Sequence, residues 1–104
     1  MGSPQAGSDI AERLLELAVG VVRISGPMSR SYAGRHISEQ LVRSATSAGA
    51  NYEEACGSQS RGDFIHKLHL VLKELRESAY WLKLSVRAGL AEGGQPDDLQ
   101  REAG

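Results

Sequence analysis

The sequence predicts a single all-α domain, an up-down-up-down antiparallel bundle with three full helices and a truncated fourth. Apolar residues recur every three or four positions along three long segments, which is the spacing of an amphipathic helix. Each segment begins near a serine or an aspartate and ends at glycine or proline, as capped helices do. A chain of 104 residues, 40% of them hydrophobic, suits one modest core. Residues 8–104 are therefore predicted to form the domain, and residues 1–7, which are mostly small and polar, a disordered lead-in.

The first helix is predicted over residues 9–25. Its apolar side chains form one stripe of Ile10, Leu14, Leu17, Val21 and Ile24. Gly26 and Pro27 are expected to end this helix, because proline has no amide donor and disfavours helix in the preceding residue.

The second helix is predicted over residues 30–56, with Gly57 as a left-handed C-cap. Its centre, residues 44–50, consists entirely of small side chains. Gly49 alone costs about 1 kcal/mol of helix propensity relative to alanine. Such a run is tolerable if another helix packs closely against it, and we expect that packing here. The alternative is that the run merely weakens the helix.

The third helix is predicted over residues 61–88. Ser60 and Asp63 are spaced as a capping box, and Asp63 is also placed for an i,i+4 ion pair with Lys67. Because the connection from the second helix is only about four residues long, the two helices are expected to form an antiparallel hairpin. Gly89 is placed for a Schellman stop.

Apolar residues of the third helix cover a wider arc than those of an ordinary surface helix. One stripe consists of Phe64, Leu68, Val71, Leu75, Ala79, Leu82 and Val86. Further apolar side chains flank or oppose it, namely Ile65, Leu72, Tyr80, Trp81 and Leu84. This surplus predicts that either the other helices surround the third helix or a neighbouring subunit covers its extra face.

A fourth, truncated helix is predicted over residues 96–103. Pro96 suits a first helical position, and the two aspartates after it complement the helix dipole. Only Leu99 and Ala103 could pack against the other helices.

Composition and charge narrow the classes of function. Cys56 is the only cysteine, which excludes an internal disulfide and favours a reducing compartment, so we expect a cytoplasmic location. We expect no membrane association, because no stretch reaches the ~18–20 apolar residues of a membrane span and the start lacks the basic region of a signal peptide. Residues 29–90 hold nine Lys and Arg against six Asp and Glu, and this balance of +3 is only mildly basic for a nucleic-acid-binding surface.

Four segments together resemble one known family in their order and spacing. They are LVRSA at residues 41–45, ANYEEA at 50–55, SRGDFIHKL at 60–68 and LKELRESAYWL at 72–82. Over roughly residues 12–92 the chain is similar to the bacterial four-helix bundle protein family, also called the rRNA intervening-sequence protein family. That family includes the accessory variability protein of diversity-generating retroelements.

The resemblance implies an up-down-up-down bundle that assembles as a homopentamer. It further implies a small cytoplasmic protein without enzymatic activity. In the retroelement members, the partners it implies are a reverse transcriptase and nucleic acid. Because the shared pattern is structural, the resemblance transfers no catalytic site.

Two polar pairs match the family pattern, and each pair is separated by one helical turn. Asn51 and Glu54 lie near the end of the second helix, and Glu74 and Glu77 lie in the third. They could hold a ligand or a metal, or they could fix the helix register and pair with an arginine. We favour the structural interpretation, because polar groups inside a bundle must be satisfied and can specify its assembly.

No metal site, cofactor or catalytic residue is predicted. A di-iron bundle needs Glu-x-x-His motifs, which this chain lacks. His66 and His69 lie one turn apart, but a closed zinc site requires four ligands. Cys56 has no evident activating base, and its place near a helix C-terminus disfavours the thiolate.

Two functions remain from different classes. The first is a non-enzymatic assembly protein, a ring-forming homo-oligomer that acts as an interaction scaffold for an unknown protein partner. The residues predicted for its subunit interface are Tyr80, Trp81 and Leu84. The alternative is a nucleic-acid-binding accessory protein, a partner of a reverse transcriptase. The residues predicted to contact phosphates are Arg30, Arg35, Arg43, Lys73, Arg76 and Lys83.

Overall fold

The described part of the chain, residues 4–90 of a computed structural model, is entirely helical apart from its connections. It contains α1 (Pro4–Met28), α2 (Tyr32–Cys56) and α3 (Arg61–Arg87), and no strand occurs within these residues. The all-α prediction is confirmed for this part, with three helices where three full helices were predicted. The predicted fourth helix lies outside the described residues. No helix in the described range is long and apolar enough to cross a membrane.

Both ends of α1 differ from the prediction. The helix begins at Pro4, so it includes residues 4–7 of the predicted lead-in, and proline is well tolerated at a first helical position. It also continues through Pro27 to Met28, which corrects the predicted stop at residue 25. Proline removes only one backbone hydrogen bond this close to the helix end, and the buried side chain of Met28 anchors the last turn in the core.

The turn between α1 and α2 is unusually tight. The N-cap Ser31 accepts a hydrogen bond at its Oγ from the Gly34 amide, at 3.0 Å. A Cβ atom on Gly34 would lie only 1.9 Å from the carbonyl oxygen of Met28. Glycine is therefore required where the first turn of α2 crosses the last turn of α1.

At the other end of α2, Gly57 is the C-cap, but its φ of −93° is not left-handed. The predicted left-handed cap is wrong, because the Gly57 amide bonds back to the Glu53 and Glu54 carbonyls in a right-handed final turn. The Ser60 cap of α3 is confirmed by a 3.0 Å bond from the Asp63 amide to its Oγ. The C-terminal stop of α3 is confirmed as well, since Gly89 has a φ of 74° and the Leu90 amide bonds to the Ser85 carbonyl at 2.8 Å.

The small-residue run of α2 lies at the centre of the fold, because α2 packs against both α1 and α3. Ser44, Ala45 and Ala48 are completely buried. A Cβ atom on Gly49 would meet the Cβ atom of Leu14 at 3.7 Å, an ordinary van der Waals distance that leaves little free space. The predicted close packing is therefore confirmed.

Two apolar clusters form the core. The first joins Leu14, Tyr52 and Val71, one residue from each helix. The second joins Val21 of α1 with two residues of α2, and Trp81 and Leu82 of α3 pack against it. Apolar side chains of all three helices therefore meet over α2.

The face that α3 buries differs from the predicted stripe. Phe64, Ala79 and Val86 of that stripe are exposed. Val71 of that stripe is buried as predicted, but the other buried positions of α3, Glu74, Ser78 and Ser85, lie outside the stripe. Small and polar side chains on α3 allow its backbone to approach the equally small residues of α2. Hydrogen bonds across the contact satisfy Glu74 and Ser78, and Ser85 donates to the Trp81 carbonyl within α3.

Candidate functional site

Polar side chains cross the contact between α2 and α3, which we call the polar seam. Arg43 of α2 donates from Nη2 to Glu77 Oε2 at 2.8 Å and from Nη1 to Glu74 Oε2 at 3.4 Å. The Glu74 side chain is nearly buried, whereas that of Arg43 is half exposed. One arginine thus compensates the charge of a buried carboxylate and ties two turns of α3 to one position on α2.

A buried hydroxyl pair continues the seam. The Oγ atoms of Ser44 and Ser78 lie 2.8 Å apart, and both residues are shielded from solvent. Ser44 also donates to the Leu41 carbonyl at 3.2 Å. This pair could not be predicted from the spacing of apolar residues, because a serine at a core position does not contribute to that pattern. The run of small residues around Ser44 was the available signal.

Nearest the connection between α2 and α3, Lys67 Nζ lies 2.7 Å from Glu54 Oε1. The hydrogen bond and the charge of Glu54 raise the pKa of Lys67, and Asp63 adds a smaller effect. The predicted ion pair within α3, from Asp63 to Lys67, is therefore replaced by a bond between helices. Asn51 stays within α2, where its Nδ2 donates to the Ser47 carbonyl at 3.0 Å.

The residues predicted for a subunit interface occupy different environments. The Trp81 ring is partly buried and makes edge-to-face contacts with Tyr80, at a centroid distance of 5.1 Å, and with His36, at 6.2 Å. The Trp81 Nε1 atom is buried without a hydrogen-bond partner in the described part of the chain. Leu84 is half-buried, and only Tyr80 is largely exposed.

The cationic residues predicted to contact phosphates are all exposed. Arg43 differs from the rest because Glu74 and Glu77 already balance its charge. Lys73, Arg76 and Lys83 share one face of α3, since they are spaced by three and seven residues. We call this the basic face; Arg87, four residues after Lys83, extends it.

Among the described residues, no three His, Cys, Asp or Glu side chains are grouped so that they could hold a metal ion. His66 and His69 are both exposed. Cys56 is a free, exposed thiol. Burial raises the pKa of the Tyr52 phenol, and the neighbouring Cys56 side chain adds to this effect.

Large apolar side chains remain uncovered on two helices. Those of α3 belong to a stripe with heptad spacing, here called the α3 stripe: Ile65, Leu68, Leu72, Leu75, Ala79, Leu82 and Val86. Those of α1 belong to the α1 stripe: Ala11, Leu15, Ala18 and Val22. Leu72 is 50% exposed and Val86 65%, and Leu15 and Val22 are 56% and 52% exposed. Exposed apolar area of this extent is typical of contact surfaces.

Comparisons with known proteins agree on one family. The family described as 23S rRNA-intervening sequence protein matches residues 8–104. A solved structure of a protein with unknown function, from the S23 ribosomal protein family of Bacteroides thetaiotaomicron, is 36% identical and has a TM-score of 0.71. That alignment covers 88% of this chain and 89% of the other. None of the curated proteins compared with the chain matches it.

Proposed function

Since the chain belongs to the 23S rRNA-intervening sequence protein family, we propose that it is a non-enzymatic assembly protein of the cytoplasm. Copies of a small helical bundle join into a ring, and the ring presents a surface to a protein partner. The observation that carries this proposal is the apolar surface left open on α1 and α3, where side chains such as Leu72 and Leu15 are about half exposed.

The complete subunit is proposed as an up-down-up-down bundle. Contacts across the polar seam run in opposite sequence directions, since Arg43 meets Glu77 whereas Glu54 meets Lys67. This pattern supports an antiparallel α2–α3 hairpin. The short fourth helix, over residues 96–103, completes the proposed bundle, and the resemblance to the family suggests five subunits in the ring.

The polar seam supports a scaffold more than a catalyst. Its carboxylates, Glu54, Glu74 and Glu77, are each engaged by a cation of the neighbouring helix. Charge pairs and hydroxyl pairs of this kind specify how two helices pack, because sliding or rotating one helix would leave buried polar groups without partners. A subunit with a fixed shape is what repeated assembly requires.

The mass of the assembled protein tests the proposal. Light scattering coupled to size-exclusion chromatography should give a whole multiple of the 11.2 kDa chain mass, and a fivefold multiple for the pentamer. The mass should persist on dilution into the low micromolar range. A particle with the mass of one chain would overturn the assembly function.

The basic face of α3 supports the second candidate, a nucleic-acid accessory protein. Lys73, Arg76 and Lys83 lie together and make no ion pair within the described residues. Binding to RNA or DNA should then weaken steeply with salt, because each neutralised phosphate releases counterions. Replacing Lys73 and Arg76 with glutamine should lower the slope of log K against log salt by about two.

Lys67→Gln is the matched control for this test, because Lys67 is held by Glu54 and lies outside the basic face. It should leave the salt slope unchanged. The accessory function fails if the unmodified protein shifts neither RNA nor DNA at low salt.

A further inference from the structure

An exposed aromatic ring lies among the cations of the basic face. Tyr80 is 60% exposed, and Arg76 and Lys83, four residues before it and three after it, are its direct neighbours on the surface of α3. Lys73 and Arg87 lie two turns away in either direction, on the same side of the helix. By the geometry of an α-helix, all five side chains fall within an arc of about 80°. The basic face therefore has an aromatic residue at its centre.

No carboxylate of α3 shares this arc. The acids of α3 are Asp63, Glu74 and Glu77, and by the same helical geometry each lies at least about 40° beyond the edge of the arc. Glu77, the nearest of them, is held by Arg43 of α2 at 2.8 Å, and Glu74 shares that arginine. The positive charge of the basic face is thus not offset on its own side of the helix, and it favours a partner with regularly spaced anionic groups.

The core of the protein does not use the Tyr80 ring. Tyr80 belongs to neither apolar cluster, whereas its neighbour Trp81 packs against the second one. The two rings meet edge to face with a centroid distance of 5.1 Å, so the partly buried Trp81 supports the Tyr80 ring from one side. A ring that is already restrained loses less conformational entropy when a ligand contacts it. Tyr80 is therefore an exposed contact residue with a supported position.

A nucleic-acid strand with unpaired bases carries both of the groups that this surface can bind. Its phosphates suit the cations, and the flat face of an unpaired base can stack on an exposed aromatic ring. In a duplex, neighbouring bases cover each other's faces, so a duplex offers its phosphates alone. An acidic protein segment would likewise satisfy the cations without using the ring. The basic face is about 21 Å long, which spans several nucleotides of one strand.

We propose that the basic face binds single-stranded nucleic acid, with Tyr80 stacked on an unpaired base and the surrounding cations bound to the phosphates. This inference rests on the second candidate function, the nucleic-acid accessory protein, and specifies the form of nucleic acid that it binds. It also gives Tyr80 a role other than the subunit contact expected from the sequence.

Three fluorescent probes of about 12 nucleotides separate stacking from charge, and fluorescence anisotropy at low salt measures their affinities. The first is a single strand of deoxythymidine, the second is a strand of equal length whose sugars carry no bases, and the third is a duplex of mixed sequence. The unmodified protein should bind the thymidine strand more tightly than the strand without bases.

Tyr80→Ala should weaken binding to the thymidine strand by about 5- to 150-fold, which is the range for losing one stacked base. Binding to the strand without bases and to the duplex should stay unchanged. Because the substitution removes no charge, the dependence of the thymidine-strand affinity on salt should keep its slope. Replacing Lys73 and Arg76 together with glutamine should instead weaken binding to all three probes and lower that slope.

Two controls retain the proposed stacking. Tyr80→Phe keeps the ring at the same position and should bind all three probes like the unmodified protein. Phe64→Ala removes a ring that is 38% exposed and lies on the opposite side of α3, about 160° from Tyr80, and it should also bind like the unmodified protein.

The stacking proposal is wrong, and the accessory function still stands, under any of three results. Tyr80→Ala could be helical and keep its full affinity for the thymidine strand, it could lose affinity for all three probes by the same factor, or Phe64→Ala could cause an equal loss. Unchanged binding by the double glutamine variant would place the nucleic acid elsewhere and also overturn the proposal. If the unmodified protein binds none of the probes, both the proposal and the accessory function are wrong. Should Tyr80→Ala fail to fold, Tyr80→Leu keeps an apolar side chain without a flat ring and gives the same comparison.

Discussion

Replacing Gly34 with alanine tests how closely α1 and α2 approach each other. The added Cβ atom would lie 1.9 Å from the Met28 carbonyl oxygen and 2.8 Å from Ser31 Oγ. An unstrained carbon–oxygen contact is about 3.3 Å, so the backbone must move by more than about 1 Å. Met28 is fully buried, and therefore the displacement cannot be confined to the surface turn.

The size of the effect follows from two opposing contributions. Alanine gains about 1 kcal/mol of helix propensity over glycine. Against it stand the cost of forcing an extra carbon into a packed site and the loss of the Ser31 cap, together about 3–5 kcal/mol. The net loss of about 2–4 kcal/mol should lower the melting temperature by about 10–20 °C.

Thermal unfolding followed by circular dichroism, at one fixed protein concentration, measures this change. Gly20→Ala is the matched control, since Gly20 lies inside α1 and a Cβ atom there would meet nothing within 4 Å. That control should be neutral or stabilising by up to about 1 kcal/mol. If Gly34→Ala melts at or above the temperature of the unmodified protein, the close approach is refuted.

Two further predictions concern the polar residues. Arg43→Ala should lower the free energy of unfolding, measured by urea denaturation, by about 1–3 kcal/mol, because it leaves the buried Glu74 carboxylate without its cation. The control Arg61→Ala breaks no ion pair among the described residues and should change the free energy of unfolding by less than about 0.5 kcal/mol. Equal losses in the two variants would contradict the role of Arg43 in the polar seam. Because the pKa of Tyr52 is raised above its usual 10.0, the folded state retains a proton that the unfolded state releases, and stability should fall as the pH rises from about 10 through the raised pKa. Tyr52→Phe should reduce that alkaline fall, and an unchanged pH profile would contradict the assignment.

Most of the helical architecture could be predicted from local signals. Ser60 and Gly89 act at the ends of α3 as their residue types suggest, because a cap depends on the few residues beside it. Gly57 and Pro27 show the limit of such signals. Gly57 can adopt a left-handed conformation but is not compelled to, and Pro27 ends a helix only where no tertiary contact continues it. The buried side chain of Met28 is such a contact, and it could not be read from the sequence.

The face of α3 that meets α2 could not be predicted, because apolar residues are available around most of that helix. Counting them favoured Phe64 and Val86 as core residues, yet both are exposed. The deciding contacts are polar and lie far apart in sequence, such as the bond between Ser44 and Ser78. Short motifs are enough to show the family resemblance, because each motif lies within one stretch of sequence. The pairing of Arg43 with Glu74 and Glu77 joins residues far apart in sequence and becomes visible only in the folded structure.

The polar seam also explains why α3 leaves its apolar stripe exposed. Rotating α3 to bury the exposed half of Leu72 would gain only about 1 kcal/mol. The same rotation would separate Ser44 from Ser78 and the nearly buried Glu74 from Arg43, and each buried polar group left without a partner costs about 1–3 kcal/mol. The seam therefore holds α3 in the orientation that presents the α3 stripe outward. One orientation of α3 about its own axis therefore both buries the hydrogen bonds of the polar seam and leaves the α3 stripe exposed. In the proposed ring, the exposed stripe is available for contact with a neighbouring subunit.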